Sequence, residues 1–118
     1  MNSVIETNHG PALNWTVVED KQPRPAALQV ILHQRTYVLP WSRFIYAEGT
    51  PAEIMISFAT HEVLVAGYGL DHLLADIAAH WVVSLHEPNR ANNFRTAGEP
   101  EPKGAFSALV VRQILEEE

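Results

Sequence analysis

The sequence predicts an α+β domain: a curved antiparallel β-meander, either open or barrel-like, with one amphipathic helix packed on it. Apolar residues alternate with a period of two through most of the central stretch, which is typical of half-buried strands. Turn-forming residues interrupt that alternation, and only residues 70–81 change to helical spacing. A chain of 118 residues is expected to form a single domain, residues 1–118.

The first hairpin is expected in the segment ALQVILHQRTYVLPW. If the chain reverses at Gln34 and Arg35, the apolar residues of both arms fall on one side of a two-stranded ribbon. The facing pairs are then Leu28 with Trp41, Val30 with Leu39, and Leu32 with Tyr37. A slip of one residue would move the whole set to the other face, so this pattern is expected to set the register.

Two further reversals extend the meander. Gly49 and Pro51 mark one turn, since glycine permits positive φ and proline fixes φ, and Thr60-His61 marks the next. The expected facing pairs are Tyr46 with Ile54, Phe44 with Ile56, Phe58 with Val63, and Ile56 with Val65. The three hairpins would therefore share one apolar core face.

Between the first and second hairpins the inward positions change from odd to even numbers. Trp41 closes the odd series and Phe44 begins the even one. Because proline cannot donate to a strand ladder, Pro40 favours an edge or an irregularity. We predict a β-bulge over Pro40–Arg43 that bends the sheet, and we interpret it as a feature of the fold.

The remaining elements follow from shorter patterns. Leu70, Leu73 and Ile77 lie on the apolar stripe of the expected helix, and Asp71 suits its electropositive start. The ranges 13–19 and 81–86 are predicted as strands, and 107–115 is ambiguous between strand and helix, with its Val-Val pair favouring a strand. Segments 1–11 and 87–105 are expected to be flexible, since they are rich in Pro, Gly and Asn without a period.

Composition narrows the classes of function. The net charge is −6 with only two lysines, which disfavours a nucleic-acid partner or an anionic membrane. The absence of cysteine rules out thiol catalysis and thiolate metal sites, and it fits a reducing, cytoplasmic setting. No signal peptide and no membrane-spanning apolar run is evident in the sequence.

Two motifs invite a chemical interpretation. Gly67-Tyr68-Gly69 is a partial match to the dinucleotide-binding pattern G-x-G-x-x-G, but His72 takes the place of the third glycine. A tight strand-to-helix turn is the favoured interpretation. His72, Asp76 and His80 follow at intervals of four and could ligate a divalent ion, yet spacing alone gives no fourth ligand. We therefore expect no metal and no cofactor, and the sequence selects no catalytic residue.

The side of the sheet opposite the predicted core is also apolar. Its expected members are Ile31, Val38, Ile45, Met55 and Leu64. In a solvated antiparallel sheet those positions would be polar, and an exposed apolar patch is typical of a partner surface. The first hypothesis is therefore a non-enzymatic oligomerisation or protein-interaction module that forms a homo-oligomer. The alternative is that the helix and terminal strands cover this face within a monomer.

A second functional hypothesis comes from the predicted bulge. A small-ligand binder or enzyme would have its pocket at the bulged end of the sheet, where Arg43 would contact an anionic group and Tyr37 or Trp41 would form a wall. Aromatic residues on the inward face are more often core than pocket, so this remains the alternative.

Overall fold

The computed structural model describes residues 14–19, 21–88 and 102–114. The α+β class is confirmed, with mostly antiparallel strands and one α-helix. The segment 1–11 and most of 87–105, expected from the sequence to be flexible, lie outside the described residues. The elements are β1 (Trp15–Val17), β2 (Ala27–Ile31), β3 (Thr36–Pro40), a 3-10 helix (Trp41–Arg43), β4 (Phe44–Thr50), β5 (Glu53–Phe58), β6 (His61–Tyr68), α1 (Leu70–Ala78), β7 (Val82–His86) and β8 (Ala105–Gln113).

The strands form two four-stranded sheets. Sheet 1 has the order β1-β7-β2-β3 and sheet 2 has the order β4-β5-β6-β8. All described pairings are antiparallel except that of β2 with β7. Neither sheet closes on itself among the described strands, so the fold is not a closed barrel. The terminal strands predicted from the sequence are present, and the ambiguous C-terminal stretch is a strand.

The interrupted segment around Pro40 carries the chain from sheet 1 to sheet 2. Its residues Trp41–Arg43 form a 3-10 turn where the sequence predicted a bulge. Both ends of the turn are anchored: the Trp41 amide donates to Ala26 (3.0 Å) and the Arg43 carbonyl accepts from Ala59 (2.9 Å). The bulge itself lies further on, where the register shifts between Phe44 and Tyr46. A bend and a crossing between sheets require the same break in alternation, so the pattern alone could not separate them.

Two hairpins turn one residue earlier than predicted. In β2–β3, Leu28 faces Leu39 and Val30 faces Tyr37. The Leu32 amide donates to the Arg35 carbonyl (2.8 Å), which places the reversal at residues 33–34. In β5–β6 the turn also lies one residue earlier, because Val63 faces Ile56 where Phe58 was expected. Because each offset moves the register by two residues, both hairpins keep their apolar residues on the predicted face.

The β4–β5 hairpin differs by an odd number of residues, and this changes its faces. Ala47 pairs with Ile56 and Gly49 with Ile54, so small residues take the inward positions. Tyr46 therefore leaves the predicted core face and is 46% exposed. The bulge before Tyr46 is the cause, since one extra residue reverses the alternation downstream.

The inward side chains of both sheets and of α1 meet in one apolar core. Leu70, Leu73 and Ile77 supply the helical part, as the spacing predicted. The αL residue His80 follows the end of the helix, and the Trp81 amide donates to the Asp76 backbone carbonyl (3.0 Å) in a Schellman arrangement. No helix in the described ranges has the length and apolar character needed to cross a membrane.

The glycines of the Gly67-Tyr68-Gly69 turn are explained by the start of β8. A Cβ on Gly67 would lie 2.0 Å from the carbonyl oxygen of Ala105, and one on Gly69 would lie 2.1 Å from that of Lys103. Gly69 also has a left-handed φ of 67°. Both glycines thus permit a close approach of two backbones, which supports the tight-turn interpretation of the motif.

We expect Gly69→Ala to lower the free energy of unfolding by about 2 kcal/mol or more, because it combines left-handed strain with a backbone clash. Gly69→Asn is the informative companion, since asparagine tolerates left-handed φ but carries the same Cβ. Urea denaturation should find both variants destabilised and alanine the worse of the two. Stability close to wild type in either variant would contradict the close approach of Lys103.

Candidate interaction surface

The outer face of sheet 2, which points away from the core, carries a continuous apolar row. Met55 on β5 pairs with Leu64 on β6, and Leu64 pairs with Val110 on β8. Side chains on directly paired positions of one sheet face are neighbours, so the three residues form a strip across three strands. We call Met55, Leu64 and Val110 the outer row.

The outer row is accessible to a partner. Met55 and Leu64 are half-buried, and Val110 at the end of the row is 50% exposed. On one side of it Ala66 faces Ala108, which leaves a shallow groove of about 640 Å³ over the row. Small residues beside larger apolar ones create a depression that a protruding side chain can fill.

Charged residues surround the outer row. Glu48 pairs with Met55 on the β4 side, and Glu53 faces Ala66 in the next row. On the other side, the Arg112 guanidinium hydrogen-bonds the Glu62 carboxylate. An apolar centre within a polar rim is the usual anatomy of a protein–protein interface.

The helix cannot cover this surface because it packs on the opposite side of the sheet. Leu70, Leu73 and Ile77 are buried in the same core as the inward residues Ile56 and Val63. Alternation then places Met55 and Leu64 on the side away from α1. Among the described residues, the outer row has no covering element.

The five residues predicted as one interface lie on separate surfaces. Met55 and Leu64 share the outer row, whereas Ile31 and Val38 belong to sheet 1 and Ile45 lies at the bulge of β4. Val38 and Ile45 are 62% and 60% exposed. The crossing at Trp41–Arg43 separates the two groups, because it ends sheet 1 before sheet 2 begins.

Sheet 1 presents a different outer surface, on which Ile31 and Val38 lie among polar side chains. The hydroxyls of Thr16 and Ser84 are 2.6 Å apart, and the Ser84 hydroxyl lies 2.9 Å from Nε2 of His86. Ser84 is only 5% exposed, so this cluster is a satisfied network in the sheet rather than an accessible nucleophile. The continuous apolar row is on sheet 2, whereas Val38 of sheet 1 has the polar Gln29 as its paired neighbour.

The residues of the alternative ligand site each have their own contacts in the structure. Trp41 packs against Phe58 with ring centroids 5.5 Å apart, and its Nε1 donates to the Val82 carbonyl (3.3 Å). Tyr37 lies in sheet 1, where its ring meets that of His61 (5.5 Å). Arg43 has an exposed side chain, and none of the three line the groove over the outer row. A pocket at this end stays a prediction of the sequence.

In the helical His-Asp-His line, Asp76 and His80 make contacts with other residues. An Asp76 carboxylate oxygen accepts from Nε1 of Trp15 (3.0 Å) and lies 3.6 Å from the Lys103 ammonium. His80 packs against the Trp41 ring instead, 6.3 Å between centroids. Within the described ranges, no group of three or more acidic or histidine residues is arranged to hold a metal ion.

Comparison with known proteins adds no assignment to this geometry. Neither a protein-family model, nor a curated protein, nor a solved structure matches the chain.

Proposed function

We propose that this chain is a non-enzymatic self-association module in which copies join through the outer row of sheet 2. The observation that carries the proposal is the apolar strip of Met55, Leu64 and Val110, framed by charges and left uncovered by α1. Contiguous exposed apolar surface of this kind is typical of a protein interface. A second copy of this chain is the expected partner, because closed homo-oligomers are the commonest assemblies.

The electrostatics of the surface favour face-to-face packing of two copies about a two-fold axis along the strands. Such an axis places the β4 side of one sheet opposite the β8 side of the other. The acidic residues Glu48 and Glu53 lie on the β4–β5 side, and Arg112 lies on β8. The packing therefore brings the acidic side of each copy towards the Arg112–Glu62 pair of the other and keeps the two acidic sides apart, which supports this orientation over one that stacks them.

We place the module in the cytoplasm and without a cofactor. Support comes from the sequence, which contains no cysteine and therefore suits a reducing compartment.

The test is to place charges in the outer row. Met55→Glu combined with Leu64→Glu should weaken the face-to-face association by on the order of 100-fold or more, because packing would bury unpaired carboxylates. Sedimentation velocity over a concentration series measures this directly. Both positions are half-buried at the surface, so the monomer is expected to stay folded, which circular dichroism checks.

Val38→Glu and Ile45→Glu are matched controls for that experiment. Both positions are more exposed than the outer row but lie outside it, so neither change should alter the assembly. A wild-type chain that stays monomeric at high concentration would refute the proposal. An effect of Val38→Glu equal to that of the double variant would move the interface to sheet 1.

A further inference from the structure

Among the described strands, β8 is an edge of sheet 2 with little of the usual protection. It runs for nine residues, Ala105–Gln113, and among the described strands only β6 pairs with it. Natural proteins usually blunt such edges with proline, bulges, charges or short strands. After a register shift near its start, β8 is regular, and Arg112 is its only charged residue.

Among the described strands, the other three edges are shorter or interrupted. β1 has only three residues, and β3 ends at Pro40. β4 contains the bulge between Phe44 and Tyr46. The longest regular stretch of edge among the described strands is therefore 108–113 of β8.

The register of β8 against β6 shows which backbone groups face outward. The Ile114 amide donates to the Thr60 carbonyl (2.9 Å), and pairing continues inward from that point without a shift as far as Ala108. Since hydrogen-bonded and non-hydrogen-bonded pairs alternate in an antiparallel ladder, Val110 directs its amide towards β6. Leu109, Val111 and Gln113 direct theirs away from the sheet.

We propose that β8 pairs antiparallel with β8 of a second copy, with Val110 opposite the Val110 of that copy. In this register Leu109 of each copy faces Val111 of the other, and these pairs supply about four backbone hydrogen bonds. The arrangement is self-complementary, as a two-fold interface requires. Arg112 faces the small residue Ala108 rather than a second arginine, so no like charges are opposed.

This register also explains the exposure of Val110. The outer row ends at Val110 because no strand lies beyond β8 in the described part of the chain. Pairing of the two β8 strands joins the outer rows of both copies at Val110. The result is one apolar strip that runs from Met55 of one copy to Met55 of the other. The two valines form a non-hydrogen-bonded pair, in which side chains approach most closely.

The edge pairing goes beyond the face-to-face contact proposed above and does not depend on it. Face packing buries the outer row against another sheet, whereas edge pairing uses backbone groups along the rim of β8. The charged substitutions Met55→Glu and Leu64→Glu lie on β5 and β6, so they abolish the first contact and leave the second in place.

Single cysteines test the register, because the natural chain contains no thiol. Val110→Cys should form a disulfide-linked dimer under mild oxidation, since Cα atoms in such a pair are about 4.5 Å apart and a disulfide needs roughly 4.4–6.8 Å. Ala108→Cys is the matched control on the same strand and face. In the proposed register its two copies are separated by about 13 Å along the strands, which is out of reach. We expect cross-linking at least about tenfold faster for Val110→Cys, since Ala108→Cys must rely on random collisions.

Repeating the Val110→Cys and Ala108→Cys experiments in the Met55→Glu, Leu64→Glu background distinguishes the edge contact from the face contact. Selective cross-linking at position 110 in both backgrounds supports edge pairing whether or not the face contact exists. Equal rates at positions 108 and 110, or no cross-linking at either, would overturn the edge pairing. If cross-linking at 110 is lost only in the charged background, the edge contact is not independent, and that outcome overturns it too.

Val111→Pro provides a second test without a thiol. Its amide points away from β6, so proline there should remove an intermolecular donor and no bond of the sheet. We expect the variant to fold with a wild-type circular dichroism spectrum and to lose the dimer that remains in the Met55→Glu, Leu64→Glu background. A folded variant that keeps this dimer would refute strand pairing.

Discussion

Phe58→Ala is expected to lower the free energy of unfolding by about 3–5 kcal/mol, the usual cost of removing a buried aromatic ring. Phe58 is 1% exposed and lies at the end of β5, where it meets the residues that carry the chain between the sheets. Its ring centroid is 5.5 Å from that of Trp41 and 5.8 Å from that of Phe44. Removing it leaves a cavity against two rings whose backbone is fixed by the 3-10 turn, so the site has little room to collapse.

Phe58→Leu is the control for that experiment, because it keeps an apolar side chain of similar volume. It should cost less than about 1.5 kcal/mol. Both variants are best compared by urea denaturation at one protein concentration, since self-association makes apparent stability concentration-dependent. A loss below about 1 kcal/mol for Phe58→Ala would mean that the contacts of Phe58 with Trp41 and Phe44 do not stabilise the segment that joins the two sheets.

The parts of the fold that could be predicted are those governed by local periodicity. The helical stripe of Leu70, Leu73 and Ile77 is buried as expected, because one helix face must meet the core whatever lies opposite. The inward sides of β2 and β5 were also predicted correctly. A register error of two residues leaves the face of a strand unchanged, so this success did not need the right turns.

The division into two sheets could not be predicted in the same way. A break in alternation at Pro40 satisfies a bulge within one sheet and a crossing between two sheets equally well. The choice depends on long-range packing, above all on the parallel pairing of β2 with β7, which joins segments more than fifty residues apart in the sequence. No local sequence pattern predicts the pairing of β2 with β7.

The candidate surface was predicted in part. Met55 and Leu64 were identified because their positions alternate with buried neighbours, and the structure places them side by side. Val110 was missed because its segment was ambiguous between strand and helix, so its face could not be assigned. Residues 109–111 are all apolar, so the sequence does not show which of them face outward; the structure does, with Leu109 buried and Val110 exposed.

Trp15→Ala is the second substitution with a large expected effect, again about 3–5 kcal/mol of unfolding free energy. Trp15 is 3% exposed and connects three elements that are distant in the sequence. Its ring stacks on Phe106 of β8 with centroids 5.7 Å apart and planes at 15°, and the Lys103 ammonium lies over it at 5.7 Å. Its Nε1 donates to the Asp76 carboxylate on α1 (3.0 Å).

Trp15→Phe separates packing from hydrogen bonding at this junction. Phenylalanine retains an aromatic face for Phe106 but has no donor for Asp76, so we expect a loss of about 1–3 kcal/mol, the usual worth of a hydrogen bond to a charged group plus some lost contact. The Asp76 carboxylate keeps the Lys103 ammonium at 3.6 Å, so no isolated buried charge remains.

Combining Trp15→Phe with Asp76→Asn completes a double-mutant cycle. The two losses should not add, because each substitution alone already removes the charged hydrogen bond between the indole and the carboxylate. Urea denaturation of the three variants measures the coupling. Additive losses would show that the hydrogen bond from the indole nitrogen to Asp76 contributes no measurable stability.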